Sequence, residues 1–174
     1  MSADTPPEEG GPYRASPVPY IDRTRDQYAG LGYEAYGWAH IDEAPPWAPV
    51  TKPLSESKLG VIATGGVYAA GQTAFTYKDD TTYRAIPTDV DSADLRATHF
   101  AYDLTDARED INCVFPIDTL RSFRDEGVVG ALADNFYTCM GGIYSQRRVI
   151  EELAPTLVDR CLADDVDLVL LVPV

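Results

Sequence analysis

The clearest hydrophobic pattern lies near the carboxyl end of the chain. Residues 167–174, Asp-Leu-Val-Leu-Leu-Val-Pro-Val, form an aliphatic run behind the acidic residues Asp164 and Asp165. Such a run after a helical pattern is typical of a strand buried on both faces of a parallel sheet. The sequence therefore predicts a central strand over Val166–Val174. An edge position is the alternative, and it would leave one side free for strand pairing between copies.

Helical spacing precedes this strand. Between Tyr144 and Ala163 the apolar residues recur every three or four positions, which predicts an amphipathic helix. These residues are Val149, Ile150, Leu153, Leu157, Val158, Cys161 and Leu162. A second helix is predicted over Pro116–Glu126, because proline opens it and Gly127 follows it. A short third helix is predicted over Tyr20–Leu31.

Strand patterns occupy the middle of the chain. Lys58–Thr64 is predicted to be the first buried strand, and Val128–Leu132 is a further candidate. Residues 76–91 predict a turn at Asp79-Asp80 and then a short edge strand that ends at Pro87. Leu95–Phe100 is a candidate for another short strand.

The alternation of strands and helices indicates the fold class. It predicts a three-layer α/β fold with a mainly parallel sheet, of flavodoxin- or Rossmann-like type, whose C-terminal part is missing from the sequence. Residues 1–18 are rich in Pro, Gly and Glu and are predicted to be a disordered arm, whereas residues 19–174 are predicted to be a single domain. The aromatic stretch from Tyr33 to Trp47, which includes Tyr36 and Trp38, is interpreted as packed over the domain face or, alternatively, as an exposed recognition patch.

Charge narrows the range of partners. The chain has 28 acidic and 14 basic residues and a formal net charge of −14. Binding to nucleic acid or to an anionic membrane needs clustered basic residues, so neither partner is expected. There is no signal-peptide pattern and no apolar run of about 18 residues, so a cytoplasmic location is expected.

The three cysteines, Cys113, Cys139 and Cys161, are widely spaced. No C-x-x-C motif occurs, so neither a zinc site nor a thioredoxin-type dithiol is predicted, and no metal or cofactor is expected in this chain. Cys139 precedes a glycine pair and a helix. That position would lower a thiol pKa at a helix N-terminus, but the simpler interpretation is a core cysteine.

Two kinds of candidate site residue emerge. His99 and Asp103 lie in a polar cluster that also contains Asn112, and a histidine–carboxylate pair can orient a base or bind a metal. The alternative is a capped turn, in which the carboxylates accept from loop amides. The glycine pairs Gly65-Gly66 and Gly141-Gly142 can present backbone N–H groups to an anion, or they can serve only as turns.

Several segments, in order over residues 19 to 174, resemble the selenoprotein B components of the glycine, sarcosine, betaine and D-proline reductases. The similarity is greatest to the short branch that is like D-proline reductase. The matching segments are Leu31–Tyr33, Trp38–His40, Lys52–Ser57, Ala63–Val67, Thr98–Asp103, Asp110–Asp118, Glu126–Gly130, Met140–Gly142 and Val169–Pro173.

The resemblance implies thiol- or selenol-dependent reductive cleavage of a small amino acid or amine, such as D-proline, glycine or betaine. It implies partner reductase subunits and a thioredoxin-like electron donor. In the family, a selenocysteine or cysteine directly follows the strand matched here by Val169–Val174. We therefore expect that residue in the full-length form, either because an in-frame UGA was read as a stop or because the reading frame is truncated.

Under this hypothesis His99 and Asp103 are candidate catalytic residues. Gly65, Gly66, Asn112, Gly141 and Gly142 are candidate substrate-binding residues. The alternative hypothesis is a non-catalytic α/β module that binds a small anion or a partner protein through the two glycine pairs. A third hypothesis is a hydrolase or lyase that uses His99 and Asp103.

Overall fold

A computed structural model describes residues 19–35 and 40–174. Contacts divide the chain into two compact units, one up to Ala44 and the other over Pro45–Val174. The predicted arm of residues 1–18 lies outside the described residues, as do Tyr36 and Trp38.

The first unit contains helix α1 (Tyr20–Gly30), as the sequence predicts. Gly32 ends it with a φ of +81°, and the N–H of Tyr33 donates to the carbonyl of Tyr28 at 3.1 Å. A glycine in this left-handed conformation commonly terminates a helix, because it has no Cβ to clash. No residue of α1 is buried.

The second unit is built on strands and helices in alternation. The strands are β1 (Lys58–Ala63), β2 (Val67–Ala69), β3 (Arg84–Pro87), β4 (Leu95–Ala97), β5 (Ala131–Leu132), β6 (Asn135–Thr138) and β7 (Leu168–Val172). The helices are α2 (Thr105–Glu109), α3 (Ile117–Asp125), α4 (Gln146–Arg148) and α5 (Ala154–Ala163), with a π turn over Val149–Leu153. Short 3-10 turns span Leu54–Glu56, Ser92–Asp94 and Ile111–Cys113.

Strand β1 lies at the centre of the sheet. One of its edges pairs in parallel with β5 and then with β6, while the other edge pairs in parallel with β7 along its whole length. Strand β3 adds to β6 in antiparallel orientation and forms an edge, as predicted for the strand that ends at Pro87. A separate two-stranded sheet joins β2 to β4.

Side chains of β1 enter two hydrophobic clusters on opposite faces of the sheet. Leu59, Val61 and Ala63 pack on the face that carries α3, and Ile62 packs on the face that carries α5. Successive residues of a strand point to opposite faces, so both faces of β1 are covered by helices. The result is the three-layer α/β fold with a mainly parallel sheet that the sequence predicts.

The prediction that β7 is buried on both faces is wrong. Among the described residues β7 pairs only with β1, and Val169, Leu170 and Leu171 are exposed. In this register Leu170 lies beside Val61 on one face, whereas Leu171 lies beside Ile62 on the other. Hydrophobic composition identified the strand correctly, but it does not distinguish a central position from an edge.

Three other boundaries differ from prediction. Only Ala131 and Leu132 of the candidate Val128–Leu132 are a strand, and Leu95–Phe100 shortens to β4. The helix expected over Tyr144–Ala163 begins at Gln146 and contains the π turn. Pro155 follows that turn, and it has no N–H with which to continue the helical hydrogen-bond pattern. In the aromatic stretch, Tyr33 and Trp47 are exposed.

Candidate functional site at the carboxyl edge of the sheet

The carboxyl ends of the three parallel strands β1, β6 and β7 meet at one edge. After β1, the N–H of Gly66 donates to the carbonyl of Cys139, which follows β6, at 3.1 Å. After β7, the N–H of Val174 donates to Thr64 Oγ1 at 2.9 Å. Sites in open α/β sheets form beyond such strand ends, so this edge is the candidate site.

The glycine pair after β1 is tightly packed. Gly66 has a φ of +67°, and a methyl group there would lie 2.0 Å from the carbonyl oxygen of Thr98. A methyl group on Gly65 would lie 3.3 Å from Val114 Cβ and 3.4 Å from Val174 Cγ2. Both positions therefore allow close approach of other segments. The N–H of Gly66 is already used within the fold.

The glycine pair after β6 also allows close approach of other segments. A methyl group on Gly141 would lie 2.7 Å from the carbonyl oxygen of Val174, and one on Gly142 would lie 2.2 Å from Phe100 Cζ. The absence of a side chain at these positions lets the end of β7 and the ring of Phe100 reach the backbone.

His99 joins this edge through the loop that follows β4. The residue is 4% exposed, and its ring lies 4.9 Å from the ring of Tyr102. The Tyr102 hydroxyl donates to the carbonyl of Gly65 at 2.8 Å. Burial lowers the pKa of His99, because an apolar environment disfavours the charged imidazolium. His99 is therefore neutral at pH 7.

Asp103 does not pair with His99. Its carboxylate accepts from the N–H and the hydroxyl of Thr105, at 2.9 and 2.7 Å, at the start of α2. These bonds lower the Asp103 pKa. The segment between the two residues is not helical, so the spacing of four does not bring their side chains to one face. The contacts match the capped turn that was the alternative for this cluster.

Asn112 also lies apart from the glycine pairs. Its amide nitrogen donates to Asp110 and Asp118, at 2.9 and 3.0 Å, and its carbonyl accepts from the N–H of Asp118 at 2.9 Å. The side chain thus joins the Ile111–Cys113 turn to the start of α3. The structure brings together His99 and both glycine pairs, whereas Asp103 and Asn112 lie outside that group. The catalytic and binding roles of all seven residues stay predictions.

The cysteines are poorly suited to nucleophilic chemistry. Burial raises the Cys139 pKa to about 11, which corrects the suggestion that its position lowers it. Burial and Asp164 raise the pKa of Cys161. Partial burial and the nearby carboxylates Asp106 and Asp110 raise that of Cys113. A thiol must be ionised to attack, so none of the three is activated.

Sequence patterns missed Thr64 and Phe100. Thr64 directly follows β1, so its position at a strand end is a signal that could have found it. Phe100 has no comparable signal, because its contact with Gly142 depends on the meeting of two loops. Over residues 19–35 and 40–174, no group of three or more His, Cys, Asp or Glu side chains is placed to hold a metal ion. In that same part of the chain, no helix is long and apolar enough to cross a bilayer.

The fold and the edge together define an α/β protein with a candidate site where parallel strands end. Residues 33–174 match the family described as "Glycine/sarcosine/betaine reductase selenoprotein B". That match covers more than half of the chain. The chain belongs to this family.

Relatives within the family are subunits of reductases. The D-proline reductase subunit gamma of Acetoanaerobium sticklandii is 36% identical over 142 residues, which cover 82% of this chain and 58% of that protein. The glycine reductase complex component B subunit gamma of Peptoclostridium acidaminophilum is 31% identical over 154 residues, covering 82% of this chain and 33% of that protein.

The sarcosine reductase complex component B subunit beta of Peptoclostridium acidaminophilum is 28% identical over 131 residues, covering 70% of this chain and 29% of that protein. The chain therefore spans less than two thirds of each of these three relatives. No solved structure matches the chain.

Proposed function

We propose that this chain forms part of a reductase subunit that acts in thiol- or selenol-dependent reductive cleavage of a small amino acid or amine, such as D-proline, glycine or betaine. The observation that carries the proposal is the family match over residues 33–174. The 36% identity to a D-proline reductase subunit favours D-proline as the first substrate to test. A cytoplasmic location and partner reductase subunits belong to the same proposal.

The reactive chalcogen is proposed to follow Val174 in the full-length protein, as the family resemblance implies. Two observations support this position. Val174 lies beside Thr64 and Gly65, at the edge where His99 and Tyr102 also lie. In addition, none of Cys113, Cys139 and Cys161 has a lowered pKa. A selenol ionises at neutral pH without such help.

The proposed chemistry balances with a pair of chalcogens. Cleavage of a C–N bond by reduction takes up two electrons and two protons, one proton at carbon and one at nitrogen. The selenol or thiol and a second thiol supply them and are oxidised to a Se–S or S–S bond. A dithiol donor of thioredoxin type then reduces that bond by exchange.

The test uses the full-length protein with cysteine at the position after Val174, combined with its partner subunits. We expect consumption of D-proline, glycine, sarcosine or betaine that depends on dithiothreitol. Serine at the same position is the matched control, because it keeps the size of the side chain and removes the thiolate. If the cysteine form neither forms a thiol adduct nor turns over any of the four compounds, the redox proposal is wrong.

The contacts at Gly66 do not favour a non-catalytic anion-binding module. The N–H that would receive an anion donates to Cys139, and the space where a side chain would lie is occupied by the carbonyl of Thr98. Reading the coding DNA past codon 174 distinguishes the reductase proposal from the non-catalytic module. A TGA codon followed by a reading frame similar to the reductases supports the reductase proposal, and unrelated sequence opposes it.

A further inference from the structure

The ring of His99 has one nitrogen with a partner and one without. The N–H of Ala101 donates to Nδ1 at 3.0 Å. Because Nδ1 accepts a hydrogen bond, the proton of the neutral ring is on Nε2. Nε2 is buried, and no acceptor among the described residues reaches it. His99 therefore presents a neutral N–H donor for which no described residue is an acceptor.

An unmade hydrogen bond of this kind is costly. A buried donor without a partner has lost its hydrogen bonds to water and gained none in return, and such groups in native proteins commonly have a functional cause. The hydrogen bond within the loop is made by Nδ1 and not by Nε2. The donor is therefore available to a ligand.

Phe100 forms a cover over one face of the His99 ring. Its ring stacks on that of His99, with centroids 5.5 Å apart and an interplanar angle of 8°, and it rests against the Cα of Gly142. The Phe100 side chain is itself 41% exposed. Its other described ring contact is the edge of Tyr77 at 6.1 Å, and Tyr77 is also exposed. Phe100 and its neighbour Tyr77 are thus side chains at the surface, and a rotation of Phe100 would open space beside the imidazole.

We propose that the Nε2–H of His99 binds the acceptor oxygen of a small amide, ketone or carboxylate that enters when Phe100 moves aside. The donor is a single N–H, so it suits one oxygen atom. Aromatic rings surround the imidazole, with Phe100 and Tyr102 both beside it, and such surroundings suit a small molecule with an apolar body. A ligand with donors alone would leave Nε2 unpaired.

This inference does not rest on the reductase proposal, because the donor is argued from contacts within this chain. The proposed His99 site can be refuted while the redox proposal stands, and the redox proposal can be refuted while the His99 site stands. The test therefore uses the 174-residue chain without redox partners.

The test is a long-range ¹H–¹⁵N NMR spectrum of the chain labelled with ¹⁵N-histidine. The chain has two histidines, and His40, which bonds to Asp42 in the first unit and is highly exposed, is the internal control. The His40→Asn variant assigns the signals. We expect His99 in the Nε2–H form, and a ring with its proton on Nδ1 would overturn the proposal.

Three probes of one shape then test the ligand class. Acetamide and acetate carry an acceptor oxygen, neutral in one and charged in the other, whereas acetamidinium has donors only. We expect a saturable shift of the His99 Nε2–H signal with acetamide or acetate and no shift at His40. Tighter binding of acetamide assigns the site to neutral carbonyl compounds, and tighter binding of acetate assigns it to carboxylates. No response, or an equal response to acetamidinium, contradicts the proposal.

Phe100→Ala tests the cover. If the open arrangement has a population of about 10% or less in the wild type, removal of the ring should tighten the apparent Kd of the bound probe by about 10-fold or more. Tyr77→Ala is the matched control, because it removes an exposed ring that does not lie on His99, and it should change the Kd less. Unchanged or weaker binding in a folded Phe100→Ala protein would show that Phe100 is not a cover, and the wild-type titration stands as a test if this variant does not fold.

Discussion

At the scale of single residues, Gly66 is the position where the sequence signal and the structure agree on the need for glycine. Its φ of +67° and the 2.0 Å separation between a would-be Cβ and the Thr98 oxygen both exclude a side chain. Left-handed backbone costs an L-residue roughly 1–2 kcal/mol, and forced overpacking adds about 1–3 kcal/mol. We expect Gly66→Ala to lower the free energy of unfolding by about 3 kcal/mol, measured by urea denaturation.

Gly71 provides the control for this prediction. It has a φ of +92°, but no atom lies within 4 Å of its would-be Cβ. Gly71→Ala should therefore cost only the backbone term of about 1–2 kcal/mol. Equal losses in the two variants would show that the contact with Thr98 contributes nothing.

Asn112 is a candidate binding residue for which the described contacts indicate a structural role. Its amide donates to Asp110 and Asp118, and this donation is the largest cause that lowers the pKa of both carboxyls. In Asn112→Asp the acceptor for the Asp118 N–H remains, but a third carboxylate replaces the donor. We expect Asn112→Asp to be less stable than Asn112→Ala at pH 7, because like charges repel.

The same contacts predict how the stability lost in Asn112→Asp depends on pH. In the wild type the lowered pKa values contribute stability above the unfolded value of 3.8, and that contribution is lost as the pH falls below it. In Asn112→Asp the repulsion is present only while the carboxyls are ionised. The difference in unfolding free energy between the wild type and Asn112→Asp should therefore shrink below about pH 4. A difference independent of pH would exclude charge repulsion as its cause.

At the scale of elements, strand identity was predictable where apolar runs are continuous, as in β1 and β7. Strand β6 was missed because Asn135-Phe-Tyr-Thr138 has no such run. Phe136 faces one hydrophobic cluster and Tyr137 the other. Thr138 is fully buried and satisfies its hydroxyl by donating to the carbonyl of Val67. A polar residue whose partner lies 71 positions away cannot be recognised as a core residue from sequence spacing.

The same limit applies to the candidate site. The glycine pairs and His99 were identified because strand ends and lone histidines are visible in a sequence. Their proximity depends on Tyr102, which reaches Gly65 across 37 positions, and on Phe100, which packs on Gly142. Asp103 and Asn112 have side chains that suit catalysis or binding, yet local turns use their polar atoms. Residue type alone does not separate a capping carboxylate or amide from one that faces a ligand.

Strand β7 carries the prediction at this scale. Its outer edge has no strand partner among the described residues, and Leu171 is 66% exposed. Exposed apolar edges invite pairing between copies. We expect concentration-dependent self-association of the 174-residue chain and an association at least about tenfold weaker in Leu171→Lys, a difference of about 1.4 kcal/mol. Sedimentation equilibrium measures both.

Leu162→Lys separates strand pairing from general hydrophobic contact. Leu162 lies on α5 and is 68% exposed. Its replacement by lysine therefore introduces the same charge at a similar exposure, but outside the strand. An equal effect of the two substitutions would argue against pairing through β7. A wild-type chain that stays monomeric at every concentration would refute the prediction outright.

At the scale of the whole molecule, the division of the chain at Ala44 bears on where its stability originates. The single domain expected over residues 19–174 stays a prediction, whereas the contacts form two units. Every buried residue among those described lies between Ser57 and Cys161, and α1 buries none. Tolerance to truncation follows burial rather than sequence position.

A chain of residues 45–174 should therefore unfold cooperatively, with an unfolding free energy within about 0.5 kcal/mol of the intact chain, as for changes at surface positions. Urea denaturation followed by circular dichroism measures it. The contrasting truncation removes Val166–Val174 and with it β7, whose Leu168 and Val172 pack against the main hydrophobic cluster. That chain should lose cooperative unfolding, because the apolar contacts of a full strand with β1 disappear. If the first truncation unfolds the protein instead, residues 1–44 contribute to the stability of the core.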